Sequence, residues 1–165
     1  MSSLWIINKA GGLIYQAEHF THPDPSVGRL SSNEYLVLAG TLHGIHAITS
    51  KLSPLQQHSK VNDTGLESLE ADGFSLRVMV TLTGEFKREG EACSSSNLSL
   101  PSSSLPLPGT KFVLLTQPSH PRQATILQKC YEIYSDLVMK NPFYTSEMPI
   151  RVEAFDRAIE SLLKR

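Results

Sequence analysis

The chain has 165 residues and a formal net charge of −1, which fits one domain large enough to bury a core without disulfides or metals. The near-neutral balance excludes the basic footprint of a nucleic-acid binder and the polybasic patch that holds an anionic membrane. Its two cysteines, Cys93 in a Ser-rich stretch and Cys130 in an apolar helical pattern, read as reduced cytosolic thiols, not as a disulfide framework.

The apolar run Leu4–Ile7 is too short for a signal peptide, and no other stretch approaches the length of a membrane span. A soluble chain is predicted, meeting membranes through partners. Leu4–Ile7 and Leu13–Ala17 flank Asn8-Lys9-Ala10-Gly11-Gly12, which predicts a β-hairpin with strands near 3–9 and 12–18. Residues 19–30 hold two prolines and read as a surface loop. Ser31-Ser32-Asn33-Glu34 carries a capping-box pattern. Tyr35, Leu38, Leu42, Ile45, Ile48 and Leu52 follow at steps of three and four, one stripe of a helix that lies on a sheet and stops at Pro54. Gly40 and Gly44 lower its propensity; their spacing suits close packing but weighs little in a soluble helix.

After a polar loop at 55–64, residues 66–71 read as a short strand. Asp72-Gly73 is a hairpin turn signal, and Phe74, Leu76, Val78, Val80 and Leu82 alternate along a strand with one face on the core. Residues 84–109 contain two runs of three serines and three prolines without periodicity. They are expected to form a disordered insertion at 85–109 within a hairpin. Lys111–Thr116 restores strand character. A helix opens at Pro121, with a stripe through Ile126 or Leu127, Cys130, Tyr131, Tyr134, Leu137 and Val138, and stops at Asn141-Pro142. Residues 142–149 form an irregular connection. A last helix from about 151 to 163 carries Val152, Phe155, Ile159, Leu162 and Leu163. The order β-β-α-β-β-β-α-α predicts a single α+β domain over 1–165, an antiparallel five-stranded sheet covered by helices.

No site for bond chemistry emerges. Ala10-Gly11-Gly12 lacks the Lys-Ser/Thr of a phosphate loop. His43 and His46 lie three apart, but no further ligand stands at a metal-binding spacing, and His19 and His22 sit in a loop without partners. Cys130 on an apolar stripe is an inert thiol and Cys93 has no fixed base. The serine runs lack the frame of a nucleophile elbow; they read only as plausible phosphorylation sites. Glu67, Glu70 and Asp72 read as a solvated face. The chain reads as a binding module, not an enzyme, with no cofactor and no metal.

Several segments together are similar to a known family. Ile6-Ile7-Asn8-Lys9-Ala10-Gly11-Gly12-Leu13-Ile14-Tyr15-Gln16 resembles the first hairpin of the synbindin family of TRAPP subunits. So do Leu52-Ser53-Pro54, Thr81-Leu82-Thr83-Gly84 and Lys111-Phe112-Val113. The most specific blocks are Tyr131-Glu132-Ile133-Tyr134-Ser135-Asp136, Lys140-Asn141-Pro142-Phe143-Tyr144 and Glu147-Met148-Pro149-Ile150. Two departures stand out. Animal members carry a PDZ-like insertion where this chain has only the loop at 19–30, so PDZ-type peptide capture is not implied. The Ser/Pro-rich insert resembles fungal members.

The resemblance implies a longin-like fold and a structural, non-catalytic place in a tethering complex that serves ER-to-Golgi and Golgi vesicle transport. As an assembly, that complex is a guanine-nucleotide exchange factor for a Rab GTPase. The implied partners are a second small longin-like subunit, larger α/β subunits and, through the complex, the GTPase; the implied location is cytoplasmic, peripheral at cis-Golgi and ER-derived membranes. The alternative is another longin-type trafficking module, an adaptor small chain or a SNARE-regulatory domain.

Two candidate partner surfaces follow. One joins the outward side of the first helix, with His43 and His46, to an edge strand carrying Leu66 and Leu69. The other is the segment from Asn141 to Ile150, whose Phe143, Tyr144 and Met148 are bulky groups of the kind enriched at interface hot spots; the competing expectation is a connector folded back on its own core.

Overall fold

The computed structural model describes residues 2–20, 30–52, 65–81, 109–118 and 120–164. The expectations for residues 21–29, 53–64 and 82–108, the body of the predicted insertion among them, lie outside the described residues.

The strands are β1 (Ser3–Ile7), β2 (Leu13–Ala17), β3 (Ser68–Glu70), β4 (Ser75–Val80) and β5 (Lys111–Thr116). They form one antiparallel sheet in the order β2-β1-β5-β4-β3. Its middle strands are covered on both faces, which is why β1 and β5 read as continuous apolar runs. Leu4, Ile6, Phe112 and Leu114 point to one side and Trp5, Ile7 and Val113 to the other, the period-two alternation of a strand. A bulge between Ile6 and Ile7 leaves Ile14 without a cross-strand partner and turns it into the first of these cores.

That first core is closed by α2 (Gln123–Tyr134), a π-helical turn (Ser135–Met139) and α3 (Glu153–Leu163). Leu127, Cys130, Tyr134, Val138, Phe155 and Ile159 are buried there. Edge-on ring contacts join Phe112 to Tyr134 and Tyr15 to Phe155 at 5.2 and 4.8 Å, a geometry that adds to simple burial. The start of α2 is pinned to the sheet by Gln123, whose buried amide donates to Thr116 Oγ1 at 2.7 Å and Ser75 Oγ at 2.9 Å. The helix begins two residues after Pro121, later than the sequence suggests.

The opposite face carries α1 (Ser32–Leu52). The capping box forms as expected: Ser31 N donates to Glu34 Oε2 at 2.6 Å, and Glu34 N donates back to Ser31 Oγ at 3.4 Å. The inward stripe differs from the expected one. Tyr35, Ala39 and His46 are buried, flanked by Leu38 and Leu42, whereas Ile45, Ile48 and Leu52 are exposed. Each three-residue step falls about 60° short of a full helical turn. Two such steps in succession, Leu42 to Ile45 to Ile48, carry the stripe off the sheet.

The hairpin β4–β5 closes at Thr81 and Thr110, where Thr81 N donates to Thr110 O at 2.9 Å. Gly109, the last residue of the expected insertion, is buried at this junction. A Cβ on Gly109 would lie 1.6 Å from the Thr81 carbonyl oxygen, an approach that only glycine permits.

Candidate interaction surfaces

The two margins of the sheet differ. At the β2 margin, Ile150 N donates to Ile14 O at 2.9 Å, and Asn8 Nδ2 reaches Glu147 O at 3.4 Å. The chain thus covers this edge at Ile14 with its own 147–150 segment. At the other margin, β3 pairs only with β4 among the described residues. Its three residues are all exposed. A short open edge of this kind is a template for further pairing.

Leu69 of β3 stands opposite Leu76 of β4, whose side chain belongs to the core beneath α1. Leu69 therefore faces the α1 side of the sheet and is exposed there. Leu66, just before the strand, is half-buried against the same core. The lead into β3 runs against α1: a Cβ on Gly65 would lie 2.7 Å from His46 O.

The outward side of α1 is largely apolar, with Thr41 and Lys51 among its exposed polar groups. Leu36, Val37, Ile48 and Leu52 are exposed, the last three at 62%, 60% and 73%. Gly40 and Gly44 lie among them, and a Cβ on either would meet nothing within 4 Å. Exposed apolar groups concentrated on one helix face mark an interaction site more often than scattered ones do.

The two histidines separate. His46, expected on the outward side, is buried and faces inward beside Gly65. The helical spacing accounts for this, since His46 repeats the direction of Tyr35 and Ala39 and not that of Val37 and Ile48. His43 is half-exposed and lies against the first hairpin; a Cβ on Gly11, whose φ is +89°, would sit 3.1 Å from its Cγ. Lys111 Nζ meets His43 Nδ1 at 3.2 Å. Burial, and then the Lys111 charge, hold the His43 pKa below the ordinary histidine value. Burial lowers that of Lys111. Nothing in the sequence marks this lysine, which reads as the polar start of a strand.

The second surface also divides. Phe143 is 93% exposed and Met148 is exposed. Tyr144 turns inward, packs on the core, and donates its hydroxyl to Met148 O at 2.9 Å. Burial first, then the neighbouring Tyr144, raises the pKa of Tyr134. Glu147 adopts a left-handed φ of 72°, so the connector is held in a defined, locally strained shape. It is both a connector folded on its own core, through Tyr144, and a mount for a bare phenyl ring.

Among the described residues no group of three His, Cys, Asp or Glu side chains could hold a metal. Cys130 is buried, and burial pushes its thiol up to about 12. Among the described residues no helix is long and apolar enough to cross a membrane.

Comparison with known proteins agrees with this architecture. A relative from Dictyostelium discoideum, named trafficking protein particle complex subunit 4, is 34% identical over 99% of this chain and 96% of its own length. The proteins of that name from Bos taurus and Homo sapiens are 40% identical over 82% of this chain, but the match spans only 48% of each. The profile of the Sybindin-like family matches residues 1–86 and 103–165. The unmatched stretch lies within the Ser/Pro-rich segment. The chain, a longin-like α+β fold, belongs to the Sybindin-like family.

Proposed function

We propose that this chain is a non-catalytic structural subunit of a TRAPP-type tethering complex. That assembly acts as guanine-nucleotide exchange factor for a Rab GTPase in ER-to-Golgi and Golgi vesicle transport. The observation that carries the reading is the open β3 margin beside the largely apolar outer face of α1, in a chain whose full-length Dictyostelium relative is named as a complex subunit. The second small longin-like subunit docks on α1 and β3, with Leu69, Leu66 and His43 at the contact. A larger α/β subunit takes the Phe143–Met148 segment. β3 and the 147–150 segment lie at opposite margins of the five-stranded sheet, about 19 Å apart at the usual strand spacing, so one small domain bridges two neighbours.

Exchange through such an assembly needs no general base in this chain. A platform that binds the nucleotide-free GTPase better than the loaded one lowers nucleotide affinity by linkage. The protein works in the cytoplasm, peripheral to cis-Golgi and ER-derived membranes, and reaches them through its partners. The test is reconstitution of the complex with and without this chain, reading release of a fluorescent guanine nucleotide from the Rab GTPase. The expected result is loss of assembly and of accelerated release when the chain is omitted. Full assembly and full exchange without it would overturn the proposal.

A further inference from the structure

Among the described residues, Lys111 is the buried lysine. It opens β5, paired with Ile7 on one side and Val80 on the other, and the residue is 2% exposed. The four ion pairs among the described residues join other side chains, all at the surface. None of them neutralises Lys111. Its Nζ meets the imidazole of His43, at 3.2 Å from Nδ1.

An ammonium has donors only, so His43 Nδ1 accepts, and the proton of the neutral ring stands on Nε2. The lowered pKa of His43, set by burial and then by the Lys111 charge, fits a neutral ring. The first hairpin braces the ring at Gly11. The result is a buried positive charge that polarises an N–H donor on a half-exposed residue of α1.

We propose that the Lys111–His43 pair is the receptor for one acidic side chain, an aspartate or glutamate, of the protein that covers α1. This rests on the docking reading given above. Covering α1 removes the water that remains around His43. A cation deprived of water and left without a counter-charge strongly disfavours the complex. A carboxylate accepting from Nε2–H, or from the ammonium itself, converts that cost into a charge-assisted hydrogen bond. The neighbouring α1 surface, Val37, Gly40, Gly44 and Ile48, is apolar and fixes no register by itself. A single buried charge pair within it selects one partner and one alignment.

The test uses the complex reconstituted with the second small longin-like subunit. Lys111→Met keeps the length of the side chain and removes its charge. The expected result is a dissociation constant raised at least tenfold and a flattened dependence on salt, while the melting temperature of the isolated chain stays equal or rises. His43→Leu, which leaves β5 untouched, should weaken the complex in the same way. A carbodiimide should couple Lys111 to an Asp or Glu of the partner. If both variants bind as tightly as the parent and Ile48→Asp still breaks the complex, the carboxylate receptor is wrong and the docking face stands. If Ile48→Asp also assembles normally, the docking face itself is wrong, and the receptor with it.

Discussion

Replacing Ile48 by aspartate should separate assembly from folding. Ile48 lies on the outward side of α1 and is 60% exposed. Full burial of an isoleucine is worth about 1.5–3 kcal/mol, so about 1–2 kcal/mol of that remains for a partner to collect. An aspartate there forfeits this gain and places an unpaired carboxylate in an apolar contact, a further penalty of several kcal/mol. The complex should weaken by on the order of 3 kcal/mol or more, over 100-fold in dissociation constant. Within the isolated chain the substitution loses only the smaller, already buried part of the side chain and some helix propensity, about 1 kcal/mol together. Urea denaturation measures the second quantity, and titration calorimetry against the second small subunit measures the first. Unchanged affinity would refute the docking face. A loss of several kcal/mol in the isolated chain would show instead that Ile48 serves the chain's own core.

Other substitutions follow from the same geometry. Gly109→Ala should cost about 3 kcal/mol or prevent folding, because its methyl group would collide with the Thr81 carbonyl, beside the Thr81–Thr110 bond that closes the β4–β5 hairpin; chemical denaturation checks it. Cys130, with its thiol at about 12, should resist iodoacetamide at pH 8 in the native chain and react once the chain is unfolded in urea, as peptide mass spectrometry would show. Phe143→Ala should leave stability within about 0.5 kcal/mol yet release the larger subunit. Tyr144→Ala should destabilise the isolated chain, because it removes both a packing contact and the bond to Met148 O.

Much of this fold is legible in the residues. The Gly11 turn, the Ser31–Glu34 capping box and the stripe from Leu127 to Val138 each rest on local chemistry that tertiary contacts do not override. What escaped depends on direction and distance along the chain. The rotation of α1 that buries His46 and exposes Ile48 is set by which turn of the helix meets the sheet, and stripe residues spaced at three and four do not specify it. The π-helical turn at Ser135–Met139 inserts an extra residue per turn inside a sequence that reads as ordinary helix. The Ile150 bond that covers β2 at Ile14 joins residues 136 positions apart. The Lys111–His43 contact spans 68 positions, and a lysine opening a strand carries no local sign that the structure will bury it. The division of Phe143 from Tyr144 rests on Tyr144 packing on the core and bonding Met148 O, which composition does not show.

Hydrogen–deuterium exchange on the chain, alone and within the reconstituted complex, tests the shared-platform account most directly. Amides of Ser68–Glu70 should exchange rapidly in the free chain and slow on assembly, while those of β2, whose edge already meets Ile150 at Ile14, should change little. Equal exchange at Ser68–Glu70 in both states would contradict it.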